Sequence, residues 1–402
     1  MPSVCLYFHV HQPYRINNFS IFNIGQDLPY FDEKKNKFYL ERIARKCYLP
    51  TNNLLLNLIK KYKGKFKFGF SITGLILEQL EENFPDVLES FQKLVKTGQA
   101  ELMAETYHHS LSFLYSKQEF KKQVALHKKK IKKIFNYTPT AFRNTELAFN
   151  NEMAKTIEQM GYKTALTEGA GQILGWRSPD FVYKAHGTKN LKVLMRNYQL
   201  SDDISFRFSC RDWKEWPLTA DKFSAWVNQI NGNGQVVNLF MDYETFGEHQ
   251  WEDTGIFNFL ENLPNEILKH KDNNFKTPSQ ASKAYNPVGE IDCPNTISWA
   301  DTERDLSAWT GNQMQKQAVQ KIYELEPLVI STKSRPLIEQ WRKLQTSDHF
   351  YYMCTKWFSD ADVHQYFNPY ESPYECFISY MNILNDLQHK LKNGYNKKVK
   401  VA

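Results

Sequence analysis

Short apolar runs alternating with longer segments of helical period constrain this chain more than any other feature. Seven such runs recur between Val4 and Asp242: Val4 to His9, Phe66 to Ile72, Ala100 to Ala104, Thr140 to Arg143, Lys163 to Leu166, Lys192 to Met195 and Val236 to Asp242. Compact apolar runs of this kind suit strands buried on both faces of a parallel sheet. The stretches between them, Leu40 to Lys63, Pro85 to Thr97, Lys117 to Phe135, Asn150 to Met160 and Ala220 to Asn231, suit crossover helices. Gly98 and Gly161 read as helix stops. The pattern is α/β, with seven βα units, one strand short of an eight-stranded barrel. From Thr302 onward only helical segments follow, over Thr302 to Glu324, Pro336 to Leu344 and Pro373 to Lys392. A catalytic barrel over residues 1–300 and a helical region over 301–402 packed on it are therefore expected.

Composition narrows the function classes. With 42% hydrophobic and 24% charged residues in a chain of 402, disorder, collagen-like and membrane-spanning readings are disfavoured. Net charge is +7, and the basic runs Lys128 to Lys133 and Lys390 to Lys400 carry no nucleic-acid-binding motif. They read as solvated faces, so no nucleic-acid partner is expected. The six cysteines are scattered without a CxxC pair, which points to reduced thiols and a cytoplasmic location. The start, MPSVCLYFHVHQPYR, lacks a basic segment followed by a long apolar stretch, so neither a signal peptide nor a membrane anchor is expected. Aromatics reach 15%, enough both to fill a core and to line a sugar cleft.

The chemistry-bearing residues gather at the C-terminal ends of the expected strands, where parallel α/β folds place their active sites. Strand one ends in His9-Val10-His11, strand three in Glu105-Thr106-Tyr107-His108-His109, strand four in Arg143-Asn144-Thr145-Glu146 and strand seven in Asp242-Tyr243-Glu244. The two-residue spacing of His9 and His11 puts both rings on one side of an extended chain, ready to bind sugar hydroxyls or a metal. A carboxylate such as Asp242 at the end of a buried strand is expensive unless something uses it. Two carboxylates facing one cleft are the minimum equipment for glycoside hydrolysis: one attacks or activates water, the other protonates the leaving oxygen.

Five segments, HVHQPYR (9–15), GQAELMAETYHHS (98–110), FRNTELAF (142–149), MDYETFGEH (241–249) and DTERDLSAWTGNQMQ (301–315), resemble in order the five sequence regions of glycoside hydrolase family 57. The likeness is nearest to its α-amylase-type members, and the segment 348–375 also resembles that subgroup. The resemblance implies an incomplete TIM-like (β/α)7 barrel, a helical C-terminal region contributing to the cleft, and a retaining enzyme acting on α-glucans or malto-oligosaccharides without metal or cofactor. It matches Glu146 to the nucleophile and Asp242 to the acid/base. His9 and His11 match sugar contacts, and Glu244, His108, Asp305 and Trp309 match substrate-side positions. Trp251, nine residues beyond Asp242, is a further candidate sugar platform.

Because an Asp is intrinsically more acidic than a Glu, keeping Asp242 protonated calls for burial or a neighbouring anion, and Glu244 is the evident neighbour. Hydrolysis, 4-α-glucanotransfer and branching would share one covalent intermediate. Two rivals stand beside this reading. One is a metal-dependent hydrolase or deacetylase with His9, His11, Asp242 and one of His108 or His109 around zinc. The other is a glucan-binding protein without turnover.

Overall fold

The computed structural model describes residues 2–356 and 363–399. Residue 1, residues 357–362, part of the 348–375 likeness, and residues 400–402, which include the last lysine of the basic tail, lie outside them. The strands are β1 (Ser3–Val10), β2 (Phe68–Ile72), β3 (Ala100–Leu102), β4 (Ala141–Arg143), β5 (Thr164–Glu168), β6 (Val182–Ala185), β7 (Lys192–Arg196), β8 (Val236–Asp242), β9 (Asn274–Phe275) and β10 (Glu290–Ile291). Parallel ladders join them as β3-β2-β1-β8 and, on the other side, β7-β5-β4. A parallel bridge between Ala104 and Phe142 stitches β3 to β4. Between β7 and β8 the regular ladder gives way to an Asn238 Nδ2 bond to the Met195 carbonyl, 2.9 Å, and an Asn197 amide bond to the Asn238 carbonyl, 2.9 Å. The seven strands expected from sequence thus form an incomplete (β/α)7 barrel, and Asn238, an oddity in an apolar run, fastens its open seam.

Alternation along β1 sorts the side chains. Val4, Leu6, Phe8 and Val10 point outward into an apolar layer shared with Leu239 and Met241, beneath the helices. Cys5 and Tyr7 point inward with Phe240, Met103 and Leu166. Period two then carries His9 to the inward side at the mouth. The crossover helices are held by their caps: Ser116 accepts from the Glu119 amide ahead of Lys117–Phe135, and Asn136 closes that helix in the left-handed region. Gly98 and Gly161 both take positive φ just past a helix end, as their reading as stops requires.

Three strands escape the sequence reading. Asn274–Phe275 and Glu290–Ile291 are two residues long, too short to show a period, and Val182–Ala185 pairs antiparallel to β7. The segment Thr302 to Glu324 is not one helix but two, Ser307–Thr310 and Gln313–Glu324, because Asn312 starts a new one with a capping box to Gln315.

A second apolar cluster joins Trp309, Ile322, Trp341, Phe350, Tyr380 and Leu384 of the C-terminal helices to Ile16, Phe19 and Tyr30 from the segment after β1. An antiparallel bridge between Ser110 and Thr346 and a bond from the Ser347 amide to the His109 carbonyl, 2.9 Å, tie this region to the loop after β3. The short helix Ser347–Tyr351 is thereby brought to the barrel mouth.

Candidate active site

Strand register sets the first pair. His9 of β1 lies opposite Asp242 of β8, with His9 Nδ1 3.3 Å from Asp242 Oδ1. Just past β1, the His11 ring stacks 5.7 Å from that of His9, so the HxH spacing does place both rings on one side. The loop after β3 adds Glu105 and His109, and the end of β4 adds Arg143 and Glu146. Glu146 sits in a short turn, Thr145–Leu147, at φ 58, and Leu147 follows at φ 50. Two successive non-glycine residues in the left-handed region cost roughly 1–3 kcal/mol each. Bonds from Ser298 Oγ, 2.9 Å, and the Trp299 amide, 3.3 Å, to the Glu146 carbonyl hold that conformation.

The Glu146 carboxylate is fully dressed. Its Oε1 accepts from His109 Nε2 at 3.1 Å and Ser347 Oγ at 2.8 Å, and its Oε2 accepts from Trp299 Nε1 at 2.9 Å. Burial raises its pKa, but the His109 charge and hydrogen bond, with Arg143, outweigh this and hold it below the ordinary value. Burial lowers His109, but Glu146 and Glu105 push it up to about 9. His109 is therefore an imidazolium at neutral pH, donating from both nitrogens. For Asp242, burial raises the pKa, yet the His9 hydrogen bond and the charges of His9, His249 and Arg143 bring it below normal. Its side chain is 37% exposed, against 12% for Glu146, so Asp242 is the group that solvent reaches.

The sequence profile of the family described as Glycosyl hydrolase family 57 matches residues 5–294. The chain belongs to that family. A Methanocaldococcus jannaschii protein named "Putative alpha-amylase" is 45% identical over 398 residues, covering 96% of this chain and 84% of that one. Among solved structures, the GH57-type branching enzyme of Pyrococcus horikoshii superposes with a TM-score of 0.71 at 15% identity, over 98% of this chain and 91% of that one. The 4-alpha-glucanotransferase of Thermococcus litoralis gives 0.64 at 17% identity, over 87% of this chain but only 56% of that longer one. At such identities these two speak for the fold.

Several family-matched candidates of this family 57 chain stand elsewhere than the strand ends suggest. His108 has no exposed surface and contacts Gln123, Tyr107 and Glu339. Its neighbour His109, turned by a φ of 50, is the one in the cluster. Trp309 is core, 1% exposed in the C-terminal apolar cluster, where no sugar can stack on it. Asp305 accepts from the Ser307 amide at 2.8 Å, just before a short helix. Trp251 is exposed, with Lys46 Nζ 5.1 Å over its ring, and no contact joins it to the cluster among the described residues. Glu244 is buried and accepts from Tyr48 Oη and from Gln12 Nε2 at 3.4 Å. Burial, then the Asp242 charge, pushes Glu244 up to about 8. The expectation that Glu244 would keep Asp242 protonated is thus reversed in the free protein: buried Glu244 takes the raised pKa, and open Asp242, beside His9 and Arg143, takes the lowered one.

Sequence reasoning placed Glu105 at the third strand end but gave it no role, missed Ser347 and Asp348, and did not single out Trp299 among the tryptophans. His11 Nε2 is 3.0 Å from Asp348 Oδ2, and its Nδ1 is 2.9 Å from Thr73 Oγ1. Burial and the His109 charge lower His11 to about 4, so it is neutral, donating to Asp348 and accepting from Thr73. Among the described residues two triads bring ligand atoms within 4.8 Å, His9–Glu105–His109 and His11–His109–Asp348; the His9–His11–Asp242 set is not one of them. His109 is common to both triads, and each of its nitrogens faces a carboxylate, Glu105 or Glu146. Among the described residues, no helix is long and apolar enough to cross a membrane.

Proposed function

We propose that this protein is a retaining α-glucan-active enzyme that cleaves α-1,4-glucosidic bonds in the manner of an α-amylase, with Glu146 as nucleophile and Asp242 as acid/base. The observation that carries the reading is the contrast between the two carboxylates. Glu146, its side chain 12% exposed, is triply hydrogen-bonded and kept ionised, while Asp242, 37% exposed, stands at the end of the adjoining array. Family membership and the relative 45% identical over 96% of the chain, whose name is "Putative alpha-amylase", support the same substrate class.

A glucan lying across the mouth would offer its anomeric carbon to Glu146 Oε1 or Oε2. As the carbon–oxygen bond to the leaving sugar breaks, Asp242 gives that oxygen its proton and a glycosyl ester forms on Glu146. Asp242 then takes a proton from water, and the water oxygen displaces Glu146 with net retention. Such a pair should stand about 5–5.5 Å apart. Asp242 needs a proton for the first step, and a sugar covering its exposed side chain would raise its pKa by desolvation. His109 stabilises the departing Glu146 carboxylate in the second step, in a partly dry site where that charge interaction is strong.

Incubation with maltoheptaose, with Glu146→Gln as control, tests the reading. Only shorter chains mean hydrolysis, and ladders of longer ones mean transfer through the same intermediate. Near-normal turnover by Glu146→Gln would overturn the nucleophile assignment.

A further inference from the structure

Glu105 has no exposed surface, so no sugar can touch it, yet it stands between the two carboxylates assigned to the reaction. Its Oε2 lies 3.4 Å from His109 Nδ1 and 3.5 Å from His9 Nε2. The far nitrogens of the same rings meet Glu146 Oε1 at 3.1 Å and Asp242 Oδ1 at 3.3 Å. The two rings stack 4.7 Å apart. One buried oxygen is therefore the common partner of two imidazoles, each of which reaches one end of the reaction.

We propose that Glu105 is a positioning residue that couples the two carboxylates, acting on Glu146 through His109 and on Asp242 through His9. The inference rests on the roles proposed above for Glu146 and Asp242. A carboxylate held at one ring nitrogen fixes the orientation of an imidazole and favours a proton on both nitrogens. A buried anion is in turn tolerated only with such partners. Burial raises Glu105, and the charges and hydrogen bonds of His9 and His109 outweigh it, leaving the group well below the usual carboxylate range.

Other groups face this ensemble from the packed elements. Tyr7 of β1 feels the charges of Glu105 and Arg143, and Arg143 of β4 opposes the charge on His109. His127, from the helix Lys117–Phe135, accepts from the Glu105 amide at 3.4 Å while its Nε2 donates to the Ile72 carbonyl at 2.8 Å. Both its nitrogens are thus used by the backbone in the neutral form. The His109 imidazolium is thus the counter-charge that Glu105 faces directly.

The substitution Glu105→Gln keeps the shape and removes the charge. With one of its two anions gone, His109 releases its proton at lower pH, and above that pH Glu146 has no cation beside it. The alkaline limb of the kcat/KM profile on maltoheptaose should move down by about one pH unit, with kcat down roughly 10²-fold. The loss should be smaller on an aryl α-maltoside, whose leaving group needs no proton, because part of it arises at the His9–Asp242 arm. Glu105→Asp, which keeps the charge, should return the alkaline limb to its original place. A 15N NMR titration of His109 reads the same coupling without turnover, and its pKa should fall in Glu105→Gln. An unmoved alkaline limb or an unmoved His109 titration would overturn the coupling. A wild-type protein that cannot process maltoheptaose would instead sink the functional reading and leave the titration to decide the role of Glu105.

Discussion

The surroundings of Glu146 and Asp242 differ in how they are built. Glu146 sits on a strained turn, clasped by His109 from the loop after β3, Trp299 from the segment beyond β10 and Ser347 from the C-terminal helices. Asp242 stands at the end of a regular strand, with His9 beside it in register and more than a third of its side chain in solvent. A nucleophile has to be anionic and aimed before the sugar arrives, which favours many fixed donors around it. A group that gives and then takes a proton has to be less firmly held in either state. Under the roles proposed above, the lesson is that one barrel mouth can set two carboxylates to opposite tasks by how many elements converge on each.

The largest effect should come from removing either carboxylate. Glu146→Gln and Asp242→Asn should each lower kcat on maltoheptaose by at least about 10²–10⁴-fold. The comparison breaks if Asp242→Asn is as slow on an aryl glycoside with a good leaving group as on the natural linkage. A second test concerns stability: Trp309→Ala should cost about 3–5 kcal/mol in chemical denaturation because the ring is core. Selective loss of glucan affinity with unchanged stability would return Trp309 to the cleft. Next, Trp299→Phe removes one donor to the ionised Glu146, about 1.5–3 kcal/mol for a hydrogen bond to a charged group. The acid limb of the pH profile should rise with it, whereas a fall in KM alone would contradict the role.

The smallest effect is one of pH. Glu244 is raised to about 8 in the folded protein, so its contribution to stability is full below its unfolded value and is lost as pH climbs through about 8. Glu244→Gln should therefore gain melting temperature relative to wild type at pH 8 compared with pH 5. An equal difference at both pH values would place the raised group elsewhere.

Legibility from sequence followed locality. Lys117–Phe135 and Val236–Asp242 match their expected bounds because a long period and an apolar run are local signals. His9 and Asp242 could be placed at one mouth because strand ends gather there in a parallel barrel. His108 and His109 could not be told apart, since a left-handed backbone at His109, not strand alternation, decides which ring enters the site. Ser347 and Asp348 arrive through packing of the C-terminal helices, and the likeness of segment 348–375 did not say which of its residues would reach the mouth. The pKa directions of Asp242 and Glu244 depend on which of them is buried, and adjacency in the chain carried no information on that.

The most direct test is to trap the glycosyl-enzyme with a 5-fluoro-α-maltosyl fluoride on the Asp242→Asn protein and map the adduct by peptide mass spectrometry. The account predicts one 5-fluoromaltosyl group on the peptide containing Glu146, at that residue. An adduct on any other side chain, or wild-type products released with inverted anomeric configuration, would contradict it.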